Sequence, residues 1–464
     1  MKELLERIRD RAQRMGVQFM DARMFALDAT GVSVEDGKAA DVGQRRNSAV
    51  GVRVLVDDAW GFASTDIITP EALEESLKSA IEMARSSSAR VVNAGVVAKV
   101  SPVVDTVRAV VERDPRSVLL EEKVRRAADY ESAGVRAGQD KISNSIVHYN
   151  DWWSREIVCN THGTLVDQEI VRTMVFAVFT ATDGTVRQRA YKVITEQVGY
   201  ELLDRVSAAE FTEEVAKKVV ALLSAKRCPS GKFPVVLDPS VTGVFTHEVL
   251  GHNAEADFVF NGTSIIEGKV GQQIASEHVT IVDDASIPRL SGSFSYDSEG
   301  LPGQKRTIIE KGVLKGFLHS LETAARFGVQ PNGSGRAQDA HKMPIVRMSN
   351  TYMQPGKHTL EDLLKDIDVG ILIEDAGGGY VHPEKGHYTC MANQGRMIRN
   401  GQLAEPIREI TFTGVMLETL RNIDAVSRDL VFWPGMCGKG GQSAFTTCGG
   451  SYVRVKEVVV GGQE

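Results

Sequence analysis

The sequence predicts an α+β protein with two domains, an N-terminal α/β domain with a mixed or antiparallel sheet and a C-terminal, largely β domain that carries an HExxxH helix. The chain has 464 residues, which is more than one hydrophobic core usually supports. Helical periodicity and β-rich runs alternate in the first half, whereas short strands and frequent glycines predominate from about residue 280. The turn-forming segment 228–231, Cys-Pro-Ser-Gly, separates the two patterns. We therefore predict domains at 1–228 and 229–464.

The predicted elements of the first domain start with a helix over residues 3–15, whose apolar residues recur at helical spacing. Between residues 24 and 64, short β-rich runs separated by turn signals predict hairpins. Thr69-Pro70-Glu71 combines an N-cap threonine, a proline at the first helical position and an acidic first turn, so we predict a helix from there to residues 86–88. The remaining predictions are a helix over 117–133, strands over 141–149, 154–160, 164–170 and 172–180, and a helix over 201–226.

The predicted elements of the second domain start with a strand over 233–237. A helix follows, because Asp238 can cap its N-terminus and Pro239 suits its first turn. From about residue 280 onward the pattern predicts an antiparallel β architecture with a few embedded helices.

The composition is that of an ordinary soluble protein, with 42% hydrophobic and 25% charged residues. No stretch approaches the roughly 18 uncharged apolar residues that a membrane span needs. The first 16 residues carry charges throughout and contain no apolar signal-peptide core. The five cysteines are odd in number and widely spaced, which favours a reducing compartment. We therefore expect a cytoplasmic protein with no membrane association.

The charge pattern argues against nucleic acid as a partner. The net charge is -7, from 54 basic and 61 acidic residues, and no long basic run is present. The short basic segment 123–126, KVRR, lies in a helical pattern with acidic neighbours and is typical of a solvated helix face.

Candidate chemistry is concentrated in segment 238–257, DPSVTGVFTHEVLGHNAEAD, where His247, Glu248 and His252 follow one another on the predicted helix. His252 lies five residues after His247, one more than in the common HExxH zinc motif. Residues five apart on a straight α-helix point about 140° away from each other, whereas residues four apart differ by about 40°. For both rings to reach one ion, the helix must widen into a π-bulge or loosen at its end. We predict this distortion at 250–252, where Gly251 permits either.

A zinc site needs at least one further ligand, and two cysteines compete for that role. Cys437 lies in the glycine-rich segment 433–443, WPGMCGKGGQS, which lets the backbone approach closely, and Lys439 nearby would favour a thiolate. Cys448, in TTCGGS, is the alternative. Either cysteine could instead be a buried free thiol with no ligand role. The two histidines and the glutamate could likewise be ordinary polar residues of the core or surface.

The other histidines lack a comparable pattern. His387 and Cys390 have a spacing compatible with a second metal near His382, but strand alternation would place them on opposite faces. We expect surface or satisfied core positions for the rest: His278, His319, His341 and His358.

Five segments resemble the TldD/PmbA family of metallopeptidase-related proteins, and the presence of HExxxH resembles its metal-bearing TldD branch. They are HEVLGH (247–252), DSEGLPGQKRTIIEKGVLKGFLHS (297–320), PIVRMSNTYMQPG (344–356), GGGYVHP (377–383) and CGKGGQS (437–443). The turn Val34-Glu35-Asp36-Gly37 is similar to a further family feature. Segment 380–396 and the sequence after Gln442 depart from the family pattern, which leaves substrate preference open.

The resemblance implies zinc bound by His247, His252 and Cys437, and a dimer of identical chains or with a PmbA-like partner that encloses a chamber for peptides or unfolded protein segments. We expect a zinc-dependent peptidase of broad specificity, with Glu248, next to the first ligand, as the general base on a zinc-bound water. Asn350, Thr351 and Tyr352 are candidate pocket residues. The alternatives are a non-catalytic peptide-binding or partner-stabilising subunit with structural zinc, and a zinc hydrolase of another amide.

Overall fold

Antiparallel sheets and helices in both halves of the chain give the protein an α+β fold, as predicted. The structure is a computed structural model that describes residues 1–462. Its α-helices are α1 (Lys2–Arg14), α2 (Pro70–Ser88), α3 (Leu120–Gly138), α4 (Leu202–Arg205), α5 (Ala208–Leu222), α6 (Pro239–Phe245), α7 (Ala256–Phe260), α8 (Leu321–Phe327), α9 (Leu360–Leu364) and α10 (Met416–Asn422). In the described part of the chain, none of these helices combines the length and the apolar character that crossing a membrane requires.

Seven strands form the first sheet, in the order β3-β2-β1-β5-β6-β4 with β7 also paired to β6, and all pairs are antiparallel except β4 with β6. They are β1 (Phe19–Glu35), β2 (Lys38–Val56), β3 (Ala59–Thr65), β4 (Val104–Val107), β5 (Ile142–Asn160), β6 (Leu165–Asp183) and β7 (Val186–Glu196). The four short strands predicted between 141 and 180 were wrong, because they merge into β5 and β6. The polar segment near Asp151 does not end β5, since its buried carboxylate is bound by Lys123 at 2.6 Å and by the Tyr149 hydroxyl at 2.7 Å.

Helices cover one face of this sheet. Thr69 caps α2 by accepting a hydrogen bond from the Ala72 amide at 3.2 Å, and the helix ends at Ser88, so both predicted limits are confirmed. The single helix predicted over 201–226 was wrong, since α4 and α5 are separate and the Ser207 side chain caps α5. The opposite face of the sheet is turned towards the C-terminal half.

A closed five-stranded barrel forms much of the C-terminal half, because β22 pairs with both β9 and β18 and completes the ring β9-β16-β17-β18-β22. The strands outside the first sheet are β8 (Lys226–Arg227), β9 (Gly231–Leu237), β10 (Ile281–Asp284), β11 (Lys305–Glu310), β12 (Val313–Leu314), β13 (Gly335–Arg336), β14 (Ile345–Val346), β15 (Asn350–Met353), β16 (Val369–His382), β17 (His387–Arg399), β18 (Gln402–Val415), β19 (Ile423–Val426), β20 (Val431–Lys439), β21 (Gln442–Gly450) and β22 (Val453–Gly462). Closure leaves the barrel without free edges along its paired residues. Several barrel strands are longer than the short strands predicted. Strand β8 already pairs with β18, and the division of the chain at residue 228 stays a prediction.

A second sheet, ordered β12-β11-β10-β15-β21-β20, lies beside the barrel. Helix α6 packs against β16 of the barrel on one side and against β20 and β21 of this sheet on the other. The hairpin formed by β20 and β21 therefore reaches the end of the helix that carries the candidate metal ligands.

The first sheet is joined to the C-terminal half by a buried ionic contact. The Arg53 guanidinium, on β2, donates to Asp21 at 2.7 Å and to Glu299 at 2.9 Å, and all three side chains are at least 95% buried. Glu299 also accepts the amide hydrogen of Leu321 at 2.7 Å. Removing this arginine alone is costly, because Glu299 would lose its only salt bridge in the described residues and Asp21 its closer one.

We predict that Arg53→Met lowers the free energy of unfolding by about 3 to 5 kcal/mol, since it leaves Glu299 buried without a salt bridge and Asp21 with only the weaker contact to Arg23 at 4.0 Å. The matched control is Arg46→Met on the same strand, because the Arg46–Asp28 pair of 2.7 Å involves an arginine side chain that is 77% exposed. That variant should cost less than about 1 kcal/mol. Denaturant titrations of both variants measure the difference, and equal losses would contradict the expected role of Arg53.

Candidate metal centre

Helix α6 is anchored at its first turn as the sequence predicts. The Asp238 carboxylate accepts the amide hydrogen of Val241 at 2.7 Å and, from the barrel, the amide hydrogen of Asp375 at 3.1 Å. Pro239 occupies the first helical position, and Val241 and Phe245 are buried. The N-terminal end of the ligand-bearing helix is therefore held to the barrel by one carboxylate.

The helix widens before it ends. Residues Thr246–Gly251 form a π-helix, in which the amide of His252 donates to the carbonyl of His247, and residues His252–Ala254 continue as a tight 3₁₀ turn. The widened turn rotates the second histidine back towards the side of the first, which a regular helix would not do at this spacing. The predicted π-distortion is confirmed, although it starts at residue 246 and not at 250.

The absence of a side chain at Gly251 leaves room for a neighbouring residue beside the π-turn. The Gly251 φ and ψ of -53° and -51° are those of an ordinary helix, so backbone freedom is not used. A Cβ atom at this position would instead lie 2.0 Å from the sulfur of Met348. The expected reason for this glycine was therefore wrong, because it permits close packing of Met348 against the π-turn.

His247, His252 and Cys437 converge. One potential ligand atom from each lies within 4.8 Å of the other two, and no other such group of three occurs in residues 1–462. The Cys437 sulfur is 3.4 Å from Nε2 of His252, and the two imidazole rings are nearly perpendicular at 84°. Ligands at zinc bond lengths in tetrahedral geometry lie about 3.3 to 3.6 Å from each other. The spacing of Cys437 and His252 and the donor types of all three residues therefore fit a tetrahedral metal ion with one position left for a non-protein ligand.

The two histidines favour the thiolate form of Cys437. Burial acts to raise the pKa of this thiol, but hydrogen bonds with His247 and His252 outweigh it and lower the pKa to about 5. Burial acts in turn to lower the pKa of His252, and the charge of Glu255 and the bond to Cys437 raise it to about 9. A negatively charged sulfur is the form that binds a metal.

Lys439 contacts two carboxylates and a backbone carbonyl near the metal centre. Its ammonium contacts Asp257 at 2.7 Å and Glu255 at 3.2 Å, and it donates to the Val346 carbonyl at 2.9 Å. The expectation that Lys439 stabilises the thiolate was therefore wrong, since the nearby carboxylates engage its charge.

Glu255 is a functional candidate that the sequence reasoning missed. Its fully buried carboxylate lies 2.9 Å from Nδ1 of His252, which leaves Nε2 of that ring to face Cys437. A carboxylate on the second nitrogen of a metal-binding histidine fixes the ring and its tautomer. The available signal was the spacing of three between His252 and Glu255 in the same segment.

Glu248 lies beside the cluster. Its carboxylate is 4.0 Å from Nε2 of His252, its side chain is 23% exposed, and burial raises its pKa against the opposing effect of the two histidines. A Cβ atom on Gly379 would come within 3.4 Å of the Glu248 side chain, so the glycine segment of β16 runs next to this carboxylate. The structure thus brings together the four residues that the sequence singled out.

Cys448 lies close to the cluster without joining it. Cys448 packs against α6. A Cβ atom added to Gly243 of that helix would lie 3.2 Å from the Cβ atom of Cys448. Burial acts to lower the pKa of His247, while the neighbouring Cys448 and Cys437 sulfurs raise it well above the ordinary value. Nδ1 of His247 has no hydrogen-bond partner in the described part of the chain.

The remaining candidates lie apart from this centre. His387 is exposed and Cys390 is buried on the same strand, as alternation predicts, and neither belongs to a metal-binding group among the described residues. Asn350, Thr351 and Tyr352 are buried in β15. Of the other histidines, His278 and His358 are exposed. His341 pairs with Asp66 at 3.0 Å, and His319 is buried against two phenylalanines.

Comparisons with known proteins agree on one family. Residues 23–84 match the PmbA/TldA metallopeptidase domain 1, residues 113–223 its central domain and residues 230–462 its C-terminal domain. A protein named "Metalloprotease" from Methanothermobacter thermautotrophicus is 38% identical over 447 residues, which cover 96% of each chain. The "Zinc metalloprotease TldD homolog" of Saccharolobus solfataricus is 27% identical over 456 residues, or 97% of this chain and 98% of that one.

A solved structure shows the same fold. The crystal structure of TldE from Thermococcus kodakarensis superposes with a TM-score of 0.79 over 99% of this chain and 100% of that chain, at 20% sequence identity.

We predict that Glu255→Gln weakens zinc binding by about tenfold or more, because the His252 ring loses its charged partner. The matched control is Asp257→Asn, which also removes a carboxylate from Lys439 but does not touch His252. That variant should bind zinc within about threefold of the parent protein. Competition with a metal chelator measures both, and equal affinities would contradict the assigned role of Glu255.

Proposed function

This chain belongs to the PmbA/TldD family of metallopeptidases, and from that premise we propose that it is a zinc-dependent peptidase that hydrolyses peptides or unfolded protein segments. The observation that carries the proposal is the convergence of His247, His252 and Cys437 next to the carboxylate of Glu248. Two imidazoles and one thiolate are a ligand set that suits zinc, and three protein ligands are typical of catalytic zinc sites. The name of the Saccharolobus relative supports the choice of zinc.

Zinc bound there would supply Lewis acidity, which polarises a peptide carbonyl and makes a water molecule more acidic. The protein supplies the proton transfers. Glu248 would accept a proton from the attacking water and return it to the leaving amine. Its partial burial suits this role, because it raises the pKa of Glu248 and so lets the carboxyl group hold a proton between the two transfers.

The free edge of β16 offers a place for an extended substrate. Beyond Ala376 this strand has β17 on one side and no strand on the other within the described residues. A β-bulge between Ala376 and Gly378 redirects the strand, and Gly379 brings bare backbone next to Glu248. A peptide added to this edge would be held by its main chain, whatever its side chains are. This arrangement favours broad specificity.

A cytoplasmic location and a dimer are also part of the proposal. All five cysteines are free thiols in the described structure, which suits a reducing compartment. The outer half of β2, residues 38–48, is exposed and has only β1 beside it, so it leaves a polar sheet edge uncovered. A second identical chain or a PmbA-like partner would cover such an edge.

Glu248→Gln should reduce peptide cleavage by about two to four orders of magnitude while zinc content stays unchanged, since the amide keeps the shape but cannot accept the proton. Cleavage of a mixed peptide library by zinc-loaded protein, with and without chelator, measures the effect. Glu267→Gln, at an exposed position, serves as the control and should cleave like the parent. Persistent cleavage by the Glu248 variant would show that another group is the base.

Two serine substitutions test whether Cys437 or Cys448 is the metal ligand. Cys437→Ser should lower zinc occupancy after dialysis by about tenfold or more, because a thiolate ligand is lost, whereas Cys448→Ser should retain zinc. Metal analysis of the purified variants measures both. Retention by the Cys437 variant together with loss by the Cys448 variant would transfer the ligand role to Cys448.

A further inference from the structure

A cavity of about 400 Å³ separates the first sheet from the C-terminal half. Its floor is the helix-free face of the sheet, to which alternate residues of β1, β5 and β6 contribute, among them Phe25, Trp152 and Arg172. Its roof contains Arg336 and Phe445 from the other half of the chain. This volume is typical of cavities that hold small organic ligands.

Three arginines line this cavity without a salt bridge in the described residues, the exposed Arg45 and the more deeply placed Arg172 and Arg336. Arg172 is 6% exposed and donates to the backbone carbonyls of Ser291 at 2.9 Å and Ser293 at 3.5 Å. Arg336 donates to the carbonyls of Met348 and Phe445. Neither guanidinium forms a salt bridge within residues 1–462. Other buried cations, such as Arg53, Lys123 and Arg306, do have a carboxylate partner, whereas Arg347 binds only backbone carbonyls in the described part of the chain.

The acidic groups of the cavity already have partners. Glu156 lies 3.5 Å from the guanidinium of Arg23. Asp297 accepts three backbone amide hydrogens, each at 2.9 Å. Asp339 accepts the amide hydrogen of His341 at 2.9 Å. None of these carboxylates forms a salt bridge with Arg172 or Arg336.

The two guanidinium groups are also unfavourable neighbours of each other. Burial and the charge of Arg336 lower the pKa of Arg172 to about 9, and burial and Arg347 lower the pKa of Arg336 to about 10. Each group stacks on an aromatic ring, Arg172 on Phe445 at 4.5 Å and Arg336 on Phe294 at 5.1 Å. Stacking holds the planar groups in place but does not neutralise them.

We propose that this cavity binds a ligand with a carboxylate group and an apolar or aromatic body, with the carboxylate between Arg172 and Arg336. The planar guanidinium matches a carboxylate in two-pronged hydrogen bonding, and removal from water makes such charged bonds strong. Apolar lining from Leu27, Ile170 and Trp152 suits the rest of the ligand. The same chemistry could come from the C-terminal end of a peptide or from a free organic acid.

The cavity is separate from the metal centre. None of the residues of the metal centre lines the cavity, although Met436 and Ala444, which adjoin Cys437 along and across the hairpin, do. Carboxylate binding should therefore not require a bound metal, and a failure to observe it would not bear on the proposed peptidase activity.

Isothermal titration calorimetry of metal-depleted full-length protein tests the proposal with matched probes. N-acetyl-phenylalanine should bind, and its C-terminal amide should bind at least about tenfold more weakly, because it lacks the charge. 3-Phenylpropionate identifies the source: weaker binding than N-acetyl-phenylalanine indicates a peptide end, and equal or stronger binding indicates a free organic acid. Inorganic phosphate that binds as tightly as the acids would overturn the carboxylate assignment.

Arg172→Gln and Arg336→Gln should each weaken binding of N-acetyl-phenylalanine by about tenfold to a hundredfold. Arg187→Gln, at an exposed position on β7, is the control and should bind like the parent. Arg172 has no salt-bridge partner among the described residues, so its substitution leaves no buried carboxylate unpaired. The melting temperature of Arg172→Gln should therefore lie within a few degrees of that of the parent. If a variant fails to fold, the acid and amide probes on the parent protein still decide the question.

Equal binding of the acid and the amide, no binding of either acid, or binding that requires added zinc would each overturn the proposal. The last result would place the carboxylate at the metal centre.

Discussion

The widened turn at Thr246–Gly251 is the constraint on which the candidate centre depends. A π-turn is rarely stable by itself, so the surrounding structure has to impose it. Asp238 fixes the start of the helix, the Thr246 hydroxyl bonds back to the Thr242 carbonyl at 2.7 Å, and Met348 packs where Gly251 lacks a side chain. Without this turn, the two histidines would face different directions, and the nearby thiolate would have one imidazole partner.

The β20–β21 hairpin completes the centre in two ways. It supplies Cys437 from 185 residues beyond His252, and two residues later it supplies Lys439, which holds Glu255 against the other nitrogen of the same histidine. Arg347 binds the backbone carbonyls of Cys437 and Gln442, one on each strand, and so fixes the hairpin at the ligand. One short hairpin therefore positions both a metal ligand and the partner that orients another.

Local signals predicted the parts of this protein that depend on neighbouring residues. The caps at Thr69 and Asp238 and the π-distortion follow from spacing and turn chemistry. The approach of Cys437 to the histidines joins residues far apart in the chain, and the family resemblance predicted it. Barrel closure, the length of β5 and β6, and the partners of Lys439 depend on residues far apart in the chain. The Asp151 region illustrates the difference, because its polar sequence favours a turn until Lys123, from another element, neutralises it.

The two faces of the β20–β21 hairpin connect the metal centre to the arginine-lined cavity. Ala444 is the cross-strand neighbour of Cys437, and Phe445, the next residue, lies under Arg172 and accepts a hydrogen bond from Arg336. An anion between these arginines would draw both guanidinium groups towards itself and restrain Phe445 from two sides. Since packed strands move as units, a ligand on that face would also limit the freedom of the strand that presents the thiolate. The separation of the two sites in space therefore does not make them energetically independent.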